Sequence, residues 1–426
     1  MLMNDSETMT SNSVKNEAYD RYEIIIVGAG VSGMMLARLL DNSGIKTLLL
    51  ERKQKIQIQP ETFGTFTVSA KQHNLEAYIE HYFDTFTFYG PTNKASASEK
   101  NKMCLVNYQK WVDSLNLKNV TIKTSIKLTE IKRVSGGIIL KDGDKSYFGK
   151  MVVDSSGYSQ IVSKLLGLKI WKESGLSFEV EVENCNFPIE REASFILNTK
   201  GSNSGGWLYI YSEGKGQYGW ADFYPESQSS LQDLRSRTLN AMRLVGPQNE
   251  WLKDSKITYS YGRFGPTGNI RHRVEDNLIA IGDAGGCATP LTLEGFRQAL
   301  DSAKFAYEII SKAKSYKRQE LSPFLQLFND KYGKYYHVHQ YVKYMYLRWA
   351  DNIDIDRWIY NFSKLEGGDI FRLIMGELTL GLMLKTLDAT LAKNLFLNAI
   401  NNVLPSFLMF RNPISLSKKE STNGAD

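Results

Sequence analysis

The chain has 426 residues, of which 42% are hydrophobic and 23% charged, with a formal net charge of +6. That length exceeds one typical domain and the apolar share is ample for a packed core, which excludes a disordered or fibrous chain and predicts two closely packed domains. The mild basic excess demands no nucleic-acid partner, and Cys104, Cys185 and Cys287 have neither CxxC nor metal-ligand spacing, which points to free thiols in a reducing compartment.

Residues 1–20 hold no apolar core of signal-peptide length and read as a disordered tail. The stretch IIIVGAGVSGMMLARLLDNSGIKTLLLERK follows, residues 24–53. Ile24 to Val27 form an apolar run suited to a strand buried on both faces. Gly28, Gly30 and Gly33, with Ala29, Val31 and Ser32 between them, have the GxGxxG spacing. The first glycine permits a tight turn, the second lets backbone approach a pyrophosphate, and the third lets helix pack on strand. The pyrophosphate is expected at the helix N-terminus, where free N–H groups favour anions. Glu51 ends the second strand, followed by Arg52. An acid there accepts hydrogen bonds from ribose hydroxyls and disfavours a 2′-phosphate, so FAD or NAD is expected over NADP.

Residues 21–90 are therefore read as the first part of a dinucleotide-binding domain, and 91–167 as its helix and β-meander, ending in MVVDSSG. Residues 168–262 alternate aromatic and polar positions and predict an antiparallel substrate domain. Trp207, Tyr209, Tyr218, Trp220, Phe223 and Pro225 are its candidate pocket residues; the core of an ordinary sheet is the alternative for each. Residues 263–325 return to strand, Gly-rich turn and helix in NLIAIGDAGGCATPLTLEGFRQAL. Gly282 and Asp283 end that strand, with Asp283 placed to bind polyol hydroxyls. The helix, expected from about Leu293, aims its N-terminus beyond Pro290, toward a reduced flavin's N1/O2 anion. That makes Pro290, Leu291, Thr292 and Gly295 the flavin-proximal candidates, with the catalytic residues themselves unassigned. A second Gly-Asp turn favours FAD over a simple NAD dehydrogenase.

Residues 326–426 predict a helical region that either caps a substrate tunnel and rests on a membrane surface or packs on the flavin domain. No apolar run of about 18 residues occurs, so no spanning helix is expected. The protein is read as cytoplasmic, with peripheral membrane contact as the second reading. His337 and His339, at i, i+2, face different sides of a helix, and no metal is expected.

The set Gly28-x-Gly30-x-x-Gly33 with Glu51, DSSG at 154–157 and GDAGG…P…EG from Gly282 to Gly295 resembles the p-hydroxybenzoate-hydroxylase-type FAD superfamily. Within it the chain is most similar, over residues 21–345, to the geranylgeranyl reductase and lycopene cyclase group. YGWADFYP, residues 218–225, is similar to that group's Y-x-W-x-F-P motif, with two extra residues. Three positions depart from the pattern: PETFGTF, residues 60–66, lacks the usual cysteine, Tyr108 stands where an arginine usually begins a long helix, and Thr292-Leu293 replaces threonine-glycine. The resemblance implies an α/β fold: a Rossmann-type FAD domain, an antiparallel-sheet substrate domain and a helical appendage. It also implies reduction of isoprenoid C=C bonds by hydride from flavin N5, with NAD(P)H or a ferredoxin as electron donor and a lipophilic small molecule as substrate. The alternatives are a lycopene-cyclase-like non-redox cyclase, an FAD-dependent monooxygenase or halogenase, and a non-enzymatic flavin-binding scaffold.

Overall fold

The computed structural model describes residues 19–394 and 397, except 171–172, 187–190, 199–203, 212–213, 225–227, 245–247, 268–272, 350–351 and 375. Nearly all of the expected N-terminal tail lies outside the described residues, and Asp20 already begins the first strand. In chain order the strands are β1 (Asp20–Val27), β2 (Thr47–Leu50), β3 (Thr62–Phe66), β4 (Ile79–Tyr89), β5 (Lys94–Asn107), β6 (Val120–Lys123), β7 (Glu130–Val134) and β8 (Gly137–Asp142). They continue as β9 (Lys145–Asp154), β10 (Ser174–Glu183), β11 (Glu192–Ile196), β12 (Gly205–Tyr211), β13 (Lys215–Tyr224), β14 (Lys256–Pro266), β15 (Val274–Glu275) and β16 (Leu278–Ala280).

The first sheet runs β15-β16-β9-β1-β2-β6, with the β7–β8 hairpin attached to β9. Strands β16, β9, β1, β2 and β6 are parallel. Ile24, Ile25 and Ile26 have no exposed surface, as a strand covered on both faces requires. On one face lie helices α1 (Val31–Leu40) and α2 (Phe296–Ile310), which bring Met34, Leu36, Ala37, Leu300 and Ala303 onto Ile24 and Ile26. Ile138 and Leu140 of the hairpin cover Ile25 and Leu48 on the other. Val27 pairs with Leu50 and Asp154, and Asp154 with Ala280, so these parallel strands end level and their turns share one edge.

The second sheet runs β14-β10-β13-β12-β11-β4-β5-β3 and is antiparallel except where β11 meets β4. Its alternation separates two faces. Phe178, Val180, Leu208, Ile210, Tyr218 and Trp220 pack together with Leu234 and Ala241 of the helix Leu231–Leu244. The opposite face curls inward. Gln217 on β13 donates to the Thr62 hydroxyl on β3 although four strands separate them, a span of about 24 Å in a flat sheet.

The reading of 62–107 as part of the nucleotide domain is corrected here. β3, β4 and β5 belong to the second sheet, because a fourteen-residue β5 pairs back on both β3 and β4. The helix expected near 108 is a single six-residue piece, Tyr108–Asp113, capped by the Asn107 side chain.

Helices α3 (Lys334–Trp349), α4 (Asn352–Phe362), α5 (Gly367–Ile374) and α6 (Leu380–Lys385) lie on the inner side of the second sheet. Asp356 of α4 accepts the backbone N–H groups of Thr92 and Asn93 at 2.7 and 2.6 Å, and Phe371 of α5 meets Phe66 and Phe86 edge-on. The helical region thus caps the curled sheet.

A buried network fastens α2 to the segments around it. Asp301 meets His73 at 3.1 Å, accepts Lys331 Nζ at 2.7 Å and accepts the Tyr332 hydroxyl. Burial alone raises its carboxyl, but these partners overcome that and hold it at about 2. Replacing one member of such a buried group leaves the remaining charges uncompensated. Asp301→Ala is expected to lower unfolding free energy by about 3–5 kcal/mol, read from urea denaturation followed by tryptophan fluorescence.

Candidate functional site

The level strand ends place four turns side by side, and the glycines there serve different needs. Gly28 has φ +102, and a Cβ on it would sit 2.6 Å from the Ser155 carbonyl oxygen. A Cβ on Gly33 would lie 2.0 Å from the Gly28 carbonyl oxygen, so that position lets α1 start against the end of β1. A Cβ on Gly30 would meet nothing within 4 Å, because Gly30 opens on a cavity. Glu51 uses both carboxylate oxygens locally, accepting Ala29 N–H and Lys53 N–H at 2.8 Å each. Val31 and Ser32 line the cavity, whereas Arg52 is exposed and takes no part in its wall.

Across the edge, Gly282 has φ +56, and a Cβ there would strike the Ser32 hydroxyl at 2.4 Å. Asp283 sits in the short 3-10 turn Gly282–Gly285 and faces the cavity. Burial raises its carboxyl, and the Arg263 charge pulls it back. The following loop closes on itself: Thr289 N–H donates to Glu294 O at 2.9 Å and Leu293 N–H to Thr289 O at 3.1 Å. Helix α2 begins at Phe296 with Gly295 as its cap, three residues later than expected. Leu291, Thr292, Leu293 and Gly295 line the cavity, while Pro290 is buried and does not.

The cavity has a volume of about 640 Å³ and is continuous from this edge to the C-terminal helices. The inner face of the second sheet forms one wall, with Gly175, Ser177 and Glu179 of β10, Tyr261 and Arg263 of β14, and Gln217 of β13. Val342, Trp358, Phe362, Leu373 and Met383 from the helices, with Leu378 from the turn between α5 and α6, line the far end. The open position at Gly30, aimed into this cavity beside the half-buried Asp283, is the kind of space a dinucleotide's pyrophosphate requires.

Residues 21–68 match the FAD binding domain family. The chain is 23% identical over 343 residues to the digeranylgeranylglycerophospholipid reductase of Methanocaldococcus jannaschii, covering 76% of this chain and 86% of that protein. It is 22% identical over 373 residues to digeranylgeranylglycerophospholipid reductase 2 of Methanosphaera stadtmanae, covering 81% and 92%. Among solved structures, a geranylgeranyl bacteriochlorophyll reductase-like protein from Thermoplasma acidophilum superposes with TM-score 0.72 at 15% identity, covering 92% of this chain and all of that one. A flavin-dependent brominase superposes with TM-score 0.64, also at 15% identity, over 92% of this chain and all of the other, which shows a shared fold. The chain is an FAD-dependent oxidoreductase related to the geranylgeranyl reductases.

Not every aromatic expected in the flavoenzyme's pocket is there. Trp207 and Tyr209 line the cavity. Tyr218 and Trp220 are corrected: they occupy the opposite strand face, fully buried beneath the helix Leu231–Leu244. Phe223 shares the inner face but packs against Val342, Tyr346 and Ile355 and under the Lys343 ammonium, 5.1 Å from its ring centre. Pro225 lies outside the described residues. Glu179, Tyr261 and Gln217 were missed, as were the lining residues of α3–α6. For Glu179 the available signal was parity, since it shares a strand face with Gly175 and Ser177.

His339 of α3 also lines the cavity and has no exposed surface. Its Nε2 lies 2.8 Å from the Gly376 carbonyl, which can only accept, so this nitrogen carries the proton of a neutral ring. Burial lowers the imidazole to about 4, with the Gly376 hydrogen bond opposing that shift. A lowered folded value makes the stabilising contribution complete above the unfolded value and lost as pH falls toward the folded one. Between pH 6.5 and 4 the flavoprotein is expected to lose about 3 kcal/mol of stability from this residue, and His339→Gln to lose correspondingly less; urea midpoints across that range measure both.

The glycines give a paired test. Gly33→Val is expected to disrupt folding, because its side chain collides with backbone. Gly30→Val is expected to fold with near-native circular dichroism and melting temperature yet purify without FAD. Full flavin content in Gly30→Val would contradict this reading of the turn.

Proposed function

We propose that this protein reduces carbon–carbon double bonds of an isoprenoid lipid, with electrons supplied by NAD(P)H or a ferredoxin. The observation that carries the reading is the continuity of one cavity, which begins at the dinucleotide turn and ends among apolar side chains of the C-terminal helices. A long hydrocarbon chain needs little more than apolar area, at roughly 25 cal/mol per Å² buried. Val342, Trp358, Phe362, Leu373 and Met383 offer that area. The curated relatives of similar length are named for reduction of a geranylgeranyl lipid.

Bound FAD supplies hydride chemistry at N5. In this reading the turn from Gly28 to Gly33, including Ala29, Val31 and Ser32, holds the pyrophosphate at the start of α1. Glu51 keeps lone pairs for a ribose hydroxyl beyond the two N–H groups it already accepts. Gly282 and Asp283 hold the ribityl side. Leu291, Thr292 and the Gly295 cap of α2 face the ring. Helices α3–α6 exclude water from the reacting carbons. The outer faces of α4 and α6 leave Ile353, Leu380 and Leu384 at 73%, 61% and 60% exposure, and we read them as resting on the lipid surface from which substrate is drawn.

Anaerobic reduction of the purified flavoprotein, followed by separate challenges with geranylgeranyl-lipid vesicles and with oxygen, tests the proposal. Reoxidation by lipid with a mass gain of two hydrogens per turnover is expected. Rapid reoxidation by oxygen with no change in the lipid would place the protein with the monooxygenases or halogenases, and isomerised lipid without flavin oxidation with the cyclases.

A further inference from the structure

Glu179 stands midway along β10, on the face that opens into the cavity, with only 6% of its surface exposed. Its surroundings are built around it. Across the strand pairing, Gly219 of β13 is its partner on one side and Tyr261 of β14 on the other. The absent side chain at Gly219 admits the Trp207 indole, whose Cζ2 lies 2.4 Å from where a Cβ would be, and this lays the ring beside the carboxyl. The charged and titratable groups facing Glu179 are Tyr261 and Arg263 on β14, Tyr209 and Tyr211 on β12 and Glu181 on its own strand. Among the described residues no cation lies within ion-pair distance of Glu179. A carboxyl so enclosed keeps its proton at pH values where an exposed one has lost it.

We propose, resting on the reductase reading above, that Glu179 is the proton donor of the reaction. As hydride from reduced flavin reaches one alkene carbon, the carboxyl Oε–H proton passes to the neighbouring carbon. The π bond breaks and two C–H bonds form. The alkene gains two electrons and two hydrogens, the flavin is left oxidised, and the Glu179 carboxylate takes a new proton from water. Nonpolar lining residues cannot perform that transfer, and the cavity's other acids have different posts: Asp283 lies at the strand-end turn, and Glu294 is tied to Arg297 at 2.8 Å.

Burial raises the Glu179 carboxyl to about 7, against the pull of Tyr261 and Arg263. The acid form is the active one, so turnover should fall as pH rises through about 7. Glu179→Gln keeps the shape and removes the acid. The holoprotein of this variant should retain FAD and accept electrons anaerobically, yet its reduced flavin should be oxidised by geranylgeranyl lipid about 10²–10⁴-fold more slowly, without the alkaline limb of the profile. Glu179→Asp should recover part of the rate. A reading independent of lipid is the infrared carboxylic C=O band. Wild type should show a band at pH 6 that vanishes by pH 8.5 and is missing from Glu179→Gln. Absence of that band in wild type at pH 6, or an unchanged oxidation rate in Glu179→Gln, overturns the proposal while leaving the reductase reading intact. Wild-type protein that never passes electrons to lipid removes both.

Discussion

The arrangement depends on one close approach: the first turn of α1 pressed against the end of β1. Where a side chain at position 33 would begin, the Gly28 carbonyl oxygen lies 2.0 Å away and the Ser155 hydroxyl 2.7 Å away. Ser155 exploits that proximity, donating toward the Val27 and Gly28 carbonyls at 2.9 and 2.7 Å and so joining the end of β9 to the turn after β1. Asp154, which has no exposed surface, accepts the Ser156 N–H and hydroxyl and the Ser163 N–H; burial raises its carboxyl and these donors oppose the shift. Gly282 leaves room for Ser32 in turn. Three strand ends are thereby locked at one level, and the opening they leave is the mouth of the cavity.

The second sheet turns that mouth into an elongated chamber. Curling requires small residues where strands on the inner side approach one another, and Gly64 meets Tyr209 and Met103 in this way: a Cβ there would lie 2.9 Å from each. The outer face is sealed by the helix Leu231–Leu244, so the inner face is left for ligand and for the C-terminal helices. A fold of this kind separates its tasks. The parallel sheet supplies rigid backbone N–H groups and glycine gaps, while the antiparallel sheet supplies side chains that differ with substrate.

The opening β-α-β unit was legible because its determinants are local: a buried run, three glycines at fixed spacing and an acid at the second strand's end. The pairing of Thr62–Asn107 with the second sheet was not, since β4 joins β11 more than a hundred residues away and no local pattern records that. The aromatics failed for another reason. Period-two alternation tells which of Trp207, Tyr209, Tyr218 and Trp220 share a face, but not which face a later helix will cover. Glu179, Glu181 and Glu183 alternate like a solvated edge; only the curl of the sheet encloses the first of them. Thr292-Leu293 departs from the family pattern in the sequence, yet the meaning of that departure is conformational and lies in the backbone angles of the folded loop.

Leu293 has φ +55, in the left-handed region, where a branched side chain is strained by about 1–3 kcal/mol; the other eight described non-glycine residues with positive φ are all polar. A strained loop persists only where its neighbours over-determine it. Leu293 satisfies that condition through its side chain, which fills the space left by Gly175 on β10 and packs with Leu291 into the cluster of Val342, Tyr346 and Trp358. A glycine would take the same backbone angles without strain, but it would cut this connection. The substitution therefore makes the loop before α2 mechanically part of the helical cap, so the wall that receives the hydrocarbon chain and the loop beside the dinucleotide turn move, or stay fixed, together.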